Sequence, residues 1–153
     1  RARNILIENF LNSTADYALF VDSDMILPKD TIAGLLAHEK DVISAYYIRR
    51  TPPHVSVALK KMGGKYETIM NPSEGDEFEA DITGMGCMLV KREVIEKVSE
   101  KKPVFTVNDN SYSSVKGEDA IFCEKIREAG YKIWVSKKVI AGHFGGILVP
   151  KNF

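Results

Sequence analysis

Five consecutive apolar residues, Tyr17-Ala18-Leu19-Phe20-Val21, end without transition in Asp22-Ser23-Asp24. A continuous run of this kind predicts a strand covered on both faces. Its abrupt polar end places two carboxylates at the carboxyl edge of a sheet, where α/β folds bind ligands. The flanks fit an alternating plan. Before the strand, residues 2–12 carry Ile5, Leu6, Asn9 and Phe10 at near-helical spacing, with Ile7 and Leu11 widening the stripe. After it, Pro28 and Asp30 open a second helix, with Asp30 as N-cap and Ile32, Leu35 and Leu36 as its buried face. Residues 41–48 then return as another strand.

The middle of the chain changes period. Val55, Val57 and Leu59 alternate with polar or small residues, Gly63-Gly64 supplies a turn, and residues 66–70 return, which predicts a β-hairpin. A polar loop over residues 71–77 leads to a strand over 78–82, the turn Thr83-Gly84-Met85-Gly86 and a strand over 87–90. Residues 91–102 read as an amphipathic helix buried through Val94, Ile95 and Val98. A long polar loop over 106–116 is of a length that is functional in many folds. The last helix runs from about 119 to 129, stops at Gly130, and is followed by the strand Ile133-Trp134-Val135. Strands and helices alternating at the start, with a hairpin inserted later, predict one mixed α/β sheet.

Charge narrows the partners. Lys plus Arg and Asp plus Glu both total 21 in 153 residues, so the formal net charge is zero. That balance argues against a broad basic surface for nucleic acid, while leaving room for a local phosphate pocket. Cys87 and Cys123 sit in apolar stretches, where reduced, buried thiols are expected, and a reducing cytoplasmic location fits them. No apolar run reaches bilayer-spanning length. A peripheral contact with a membrane-bound substrate is compatible with such a chain.

Four groups of residues bear chemistry, and each has a structural alternative. Asp22 and Asp24 suit a hard divalent cation such as Mg²⁺ or Mn²⁺, or they form a polar turn before a capped helix. An Asp-x-Asp strand end also opens phosphatases of the haloacid-dehalogenase type, but here a helix precedes the strand and Met25-Ile26-Leu27-Pro28 follows it. Glu118-Asp119 at a helix start either caps that helix or directs a general base into a cleft, and the two roles are compatible. His143, flanked by glycines, is a loop residue or the imidazole that completes a two-carboxylate metal site. Gly84-Met85-Gly86 forms a sugar-facing wall or only a corner between strands.

Taken together and in order, these pieces resemble the GT-A glycosyltransferases, most closely the family-two type. The likeness runs through Ala2-Arg3-Asn4, through Phe20-Val21-Asp22-Ser23-Asp24-Met25, and through the stretch from Gly84 to Arg92. It continues in Gly117-Glu118-Asp119, in Gly130-Tyr131-Lys132-Ile133-Trp134 and in His143, and is weakest in residues 50–78. It implies an α/β, GT-A-like, Rossmann-related mixed sheet flanked by helices. It also implies one catalytic domain over 1–153, with a donor and metal half in 1–50 and an acceptor half in 51–153. The family's opening strand–helix–strand portion, which holds much of the nucleotide base, has no counterpart here, so the expectation is an amino-terminally incomplete domain.

The resemblance further implies roles. Asp24, with Asp22 and His143, would bind a Mn²⁺ or Mg²⁺ ion, and Arg3, Asn4, Asp22, Ser23 and Asp24 would hold the nucleotide-sugar donor. Asp119 would be the general base, with Glu118 orienting the acceptor or steadying Asp119. Gly84, Met85 and Gly86 would face the acceptor, a saccharide, a lipid-linked group or a protein. The expected activity is inverting sugar transfer to a hydroxyl. Two rivals stand beside it: a sugar nucleotidyltransferase, and a catalytically silent saccharide-binding or assembly subunit.

Overall fold

The computed structural model describes residues 2–101, 103–105 and 117–144. The expected 106–116 loop therefore lies outside the described residues. The chain opens with α1 (Ala2–Leu11), then β1 (Tyr17–Val21), β2 (Met25–Ile26), α2 (Thr31–Leu36) and β3 (Val42–Tyr46). A hairpin of β4 (Leu59–Met62) and β5 (Lys65–Thr68) leads to β6 (Glu77–Ala80) and β7 (Cys87–Lys91). The chain continues through α3 (Arg92–Ser99), α4 (Glu118–Glu128), β8 (Ile133–Ile140) and β9 (Gly142–His143).

Five strands form the main sheet in the order β1-β7-β3-β8-β6. β7 is antiparallel to both β1 and β3, and β3 is parallel to β8. The strands β1, β3 and β8 therefore all end at the same edge. This is the mixed α/β sheet flanked by helices that the alternating pattern predicts. Its centre is apolar: Val42, Ile43, Ala45, Cys87, Met88 and Val90 are fully buried. Beneath α4, Phe20, Phe105 and Phe122 pack ring to ring at centroid distances of 4.6–6.0 Å, an arrangement aromatic quadrupoles favour. Cys87 and Cys123 are free and buried, and burial pushes their thiols up to about 11 and about 12.

Several local expectations need correction. β1 is an edge strand rather than one covered on both faces: Phe20 alone is buried and Val21 is exposed. The buried face of α1 is Ile7, with Phe10 and Leu11 packed beside it, while Ile5 and Leu6 point to solvent. In α2, Leu35 and Thr31 face inward and Ile32 and Leu36 are exposed. Asp30 makes no side-chain cap bond; Thr31 Oγ1 instead donates to the Pro28 carbonyl at 2.6 Å. The last main strand runs five residues beyond Val135, because a bulge absorbs Lys137-Lys138-Val139: Ala45 pairs with Ser136 but Tyr46 pairs with Ile140. Ser136 Oγ accepts the Lys138 and Val139 amides, satisfying backbone donors that the bulge removes from the ladder.

Candidate functional site at the carboxyl edge

Three connections leave the shared edge of β1, β3 and β8, and they carry Asp22-Ser23-Asp24, Ile48-Arg49-Arg50 and Ala141-Gly142-His143. The turn Gly84-Met85-Gly86 enters β7 at the same edge, since Val21 pairs with Cys87. Asp22 N–H donates to the Gly86 carbonyl at 3.1 Å. Asp119, in the first turn of α4, accepts the Met85 N–H at 3.1 Å through Oδ2. One glycine turn thus ties together the two acidic motifs, which lie far apart in sequence.

Arg3 completes that junction from α1. Its guanidinium reaches Asp22 Oδ1 at 2.8 Å, Glu118 Oε1 at 2.7 Å and Asp119 Oδ1 at 2.5 Å. The Phe105 ring lies under the guanidinium at 5.8 Å. Only 18% of the Arg3 side chain is exposed, against 34–40% for its three acidic partners. The Asn4 amide is used elsewhere: Nδ2 donates to the Phe105 carbonyl and Oδ1 accepts the Phe105 N–H, a bracket on residues 103–105. The structure brings Arg3 to the carboxylates and the Asn4 amide to Phe105. Ser23 occupies the exposed turn between the two aspartates.

Tyr47 explains why the turn is made of glycines. Its hydroxyl accepts the Gly86 N–H at 2.8 Å, and its ring is buried. A methyl group at Gly84 would fall on that hydroxyl, and one at Gly86 would lie 2.8 Å from Met25 Sδ and 2.9 Å from the same oxygen. Burial pushes the phenol well above its usual range, so it stays protonated. Met85 is fully buried, so the turn presents backbone rather than that side chain.

His143 stands edge-on to the Tyr47 ring at 5.2 Å. It pairs with Met25 in a two-stranded ribbon of β2 and β9, and the next residue, Phe144, donates its N–H to the Asp24 carbonyl at 2.7 Å. The ribbon therefore carries His143 alongside the Asp-x-Asp segment. His143 Nδ1 lies 2.8 Å from the Ile48 carbonyl. A carbonyl only accepts, so Nδ1 carries a proton and Nε2 is the nitrogen left to offer a lone pair to a cation. Asp24 Oδ2 meets Arg50 Nη1 at 2.9 Å.

Asp22, Asp24, Glu118 and Asp119 face two guanidiniums, Arg3 and Arg50, which leaves a surplus of two negative charges. Two carboxylates and an imidazole lone pair are donors that Mn²⁺ or Mg²⁺ accept, and the surplus matches a divalent ion. Among the described residues, however, no three such side chains are drawn together at ligand distance; the two arginines hold the aspartates instead. A groove of about 440 Å³ between α1 and β1 ends at Arg3 and Asp22, with Leu6, Phe10, Leu19 and Val21 along it. A hollow of about 490 Å³ at Asp16, Lys91 and Glu96 lies at the opposite end of β1, away from the acidic cluster.

Sequence reasoning did not find Tyr47 or Arg50. Tyr47 follows the wholly buried strand β3, where nothing sets it apart, and Arg50 sits in a loop with no period. No helix among the described residues is long and apolar enough to cross a membrane.

Neither a protein-family model nor a curated protein matches the sequence. Solved structures do. "Crystal Structure of A197 from STIV" superposes with a TM-score of 0.65 at 22% identity, over 99% of this chain and 74% of that one. "Crystal structure of GalNAc-T7 with UDP, GalNAc and Mn2+" superposes with a TM-score of 0.64 at 12% identity, over 95% of this chain and 30% of that one. The chain thus spans under a third of GalNAc-T7. At these identities the likeness is one of fold, and that fold is the GT-A-like mixed sheet.

Proposed function

We propose that this chain is the catalytic part of a metal-dependent glycosyltransferase that moves a sugar from a nucleotide-diphosphate donor to an acceptor hydroxyl, with inversion. The observation that carries this reading is the gathering of Asp22, Glu118 and Asp119 on one guanidinium, beside Asp24 and His143, at the carboxyl edge of a GT-A-like sheet. The solved neighbour that holds UDP, GalNAc and Mn²⁺ supports it at the level of fold.

Asp24, Asp22 and His143 Nε2 would hold the divalent cation, which supplies neutralisation of charge on the departing diphosphate. The groove between α1 and β1, apolar along its length and polar at Arg3 and Asp22, suits a nucleoside. The acceptor hydroxyl attacks the anomeric carbon from the face opposite the diphosphate; the carbon–diphosphate bond breaks, and the hydroxyl proton passes to Asp119. The Met85 N–H and Arg3 hold Asp119 in place for that transfer, and Glu118 orients the acceptor. The Gly84-Met85-Gly86 turn would form the acceptor-side wall with its backbone. The acceptor is a saccharide, a lipid-linked group or a protein.

The test is a sugar-transfer assay with nucleotide-sugar donors, comparing wild type with Asp119→Asn. Asn keeps the shape and much of the helix-capping capacity but removes the basic carboxylate. Turnover should fall by about 10²–10⁴-fold, with donor affinity nearly unchanged. Equal turnover in the two proteins would leave Asp119 only its structural tie to the Met85 N–H and Arg3, and no transfer by wild type with any donor would favour the silent saccharide-binding subunit.

A further inference from the structure

The two arginines at the site are not equivalent. Arg3 has three acidic partners, lies against Phe105 and is mostly covered; displacing it would strip three carboxylates of their counter-ion at once. Arg50 pairs with Asp24 at 2.9 Å, and 58% of its side chain is exposed. An exposed single pair of this kind is held weakly. The two residues before it, by contrast, are anchored. Ile48 bridges Ser56, Arg49 N–H donates to the Val55 carbonyl at 2.9 Å, and the His54 ring meets the Arg49 carbonyl at 3.2 Å. The neighbouring Ile48 carbonyl is the group that fixes His143 Nδ1. An exposed guanidinium next to an anchored segment therefore sits at the Asp24 carboxylate, two residues from the carbonyl that orients the imidazole.

Resting on the glycosyltransferase reading, we propose that Arg50 is an exchangeable counter-ion: it occupies the Asp24 carboxylate in the free protein and transfers to the donor's diphosphate once a divalent cation takes Asp24. A divalent ion outcompetes a guanidinium of unit charge for the same exposed carboxylate. The released guanidinium then has a planar fork suited to phosphate oxygens, which a lysine ammonium does not reproduce. Arg50 is thus a positioning and charge-matching residue for the donor, and the resting ion pair keeps Asp24 from standing unpaired when no ligand is present.

The experiment uses the whole chain as wild type, Arg50→Ala, Arg50→Lys and Asp24→Ala. Mn²⁺ alone is titrated by calorimetry, and a nucleoside diphosphate is then titrated at saturating Mn²⁺, with thermal melts to establish that each variant is folded. Arg50→Ala should bind Mn²⁺ alone about two- to five-fold more tightly, because its competitor is gone. It should bind the nucleoside diphosphate with Mn²⁺ about ten- to a hundred-fold more weakly, because a charge-assisted fork is lost. Arg50→Lys should restore the metal competition and only part of the diphosphate affinity. Mn²⁺ affinity in Arg50→Ala equal to or below wild type, or unchanged diphosphate affinity, overturns the exchange while leaving the site reading standing. Mn²⁺ binding that is absent in wild type and Arg50→Ala alike, or that survives in Asp24→Ala, overturns the metal reading itself and the exchange with it.

Discussion

The Arg3 guanidinium lies 2.5 Å from the Asp119 carboxylate, joining residues 116 positions apart in sequence. The same guanidinium holds Asp22 and Glu118, so the helix that opens the chain sets the geometry of the acidic cluster. Arg3→Ala should destabilise the protein by about 1–3 kcal/mol, since charged hydrogen bonds are lost and three carboxylates are left to repel one another. The deficit should shrink as NaCl screens that repulsion. Arg3→Lys should fall between, keeping the charge but losing the fork. Urea unfolding at low and high salt measures this, and an Arg3→Ala protein as stable as wild type would contradict it.

Tyr47 and Gly84 form a coupled pair. Gly84→Ala should cost about 1–3 kcal/mol through overpacking against the Tyr47 hydroxyl. Tyr47→Phe should itself cost about 1–3 kcal/mol, because the buried Gly86 N–H loses its acceptor. In the Tyr47→Phe background the nearest atom to a Gly84 methyl becomes ring carbon Cζ at 3.2 Å, so Gly84→Ala should cost less than about 1 kcal/mol there. A double-mutant cycle by denaturant unfolding reads the coupling. Strict additivity would mean that the ring does not dictate the glycine.

Much of this was legible in the sequence where a regular pattern met a chemical break. The apolar run ending in Asp22 and Asp24 gave the strand and its edge, and Gly117-Glu118-Asp119 gave the start of α4. The β2–β9 ribbon was not legible, because two strands of two residues each carry no period. Yet that ribbon carries His143 alongside Asp24. The inner face of α2 was misread because a six-residue helix, too short to show a stripe, packs through Leu35 and Thr31. The bulge in β8 hid its far half, since a serine and two lysines look like the end of a strand.

Glu77 offers a test by pH. A hydrogen bond from Lys40, with a second contact to His38 Nδ1 at 2.6 Å, holds the carboxyl below its ordinary value of 4.5. The ring of His38 also reaches Ser136 Oγ at 2.8 Å, linking the residues after α2 to β6 and β8. A depressed folded-state value means that the stabilisation is fully present above about pH 4.5 and is lost as pH falls through the lower folded value. Glu77→Gln should therefore be less stable than wild type at pH 7 and lose less on acidification. Parallel loss in both proteins below that pH would remove Glu77 from the acid response.

The proposed chemistry turns on Asp24 as the cation-binding carboxylate. Its most direct test is calorimetric titration of a nucleoside diphosphate into wild type and Asp24→Ala, each with Mn²⁺ and with EDTA. Asp24 lies at a strand end and is about one-third exposed, so Asp24→Ala should stay folded, with a stability change within about 1 kcal/mol. The expected result is binding by wild type with Mn²⁺ that is lost in EDTA and lost in Asp24→Ala under both conditions. Wild-type affinity in Asp24→Ala with Mn²⁺, or wild-type binding that persists in EDTA, would contradict the metal assignment on which the proposed chemistry rests.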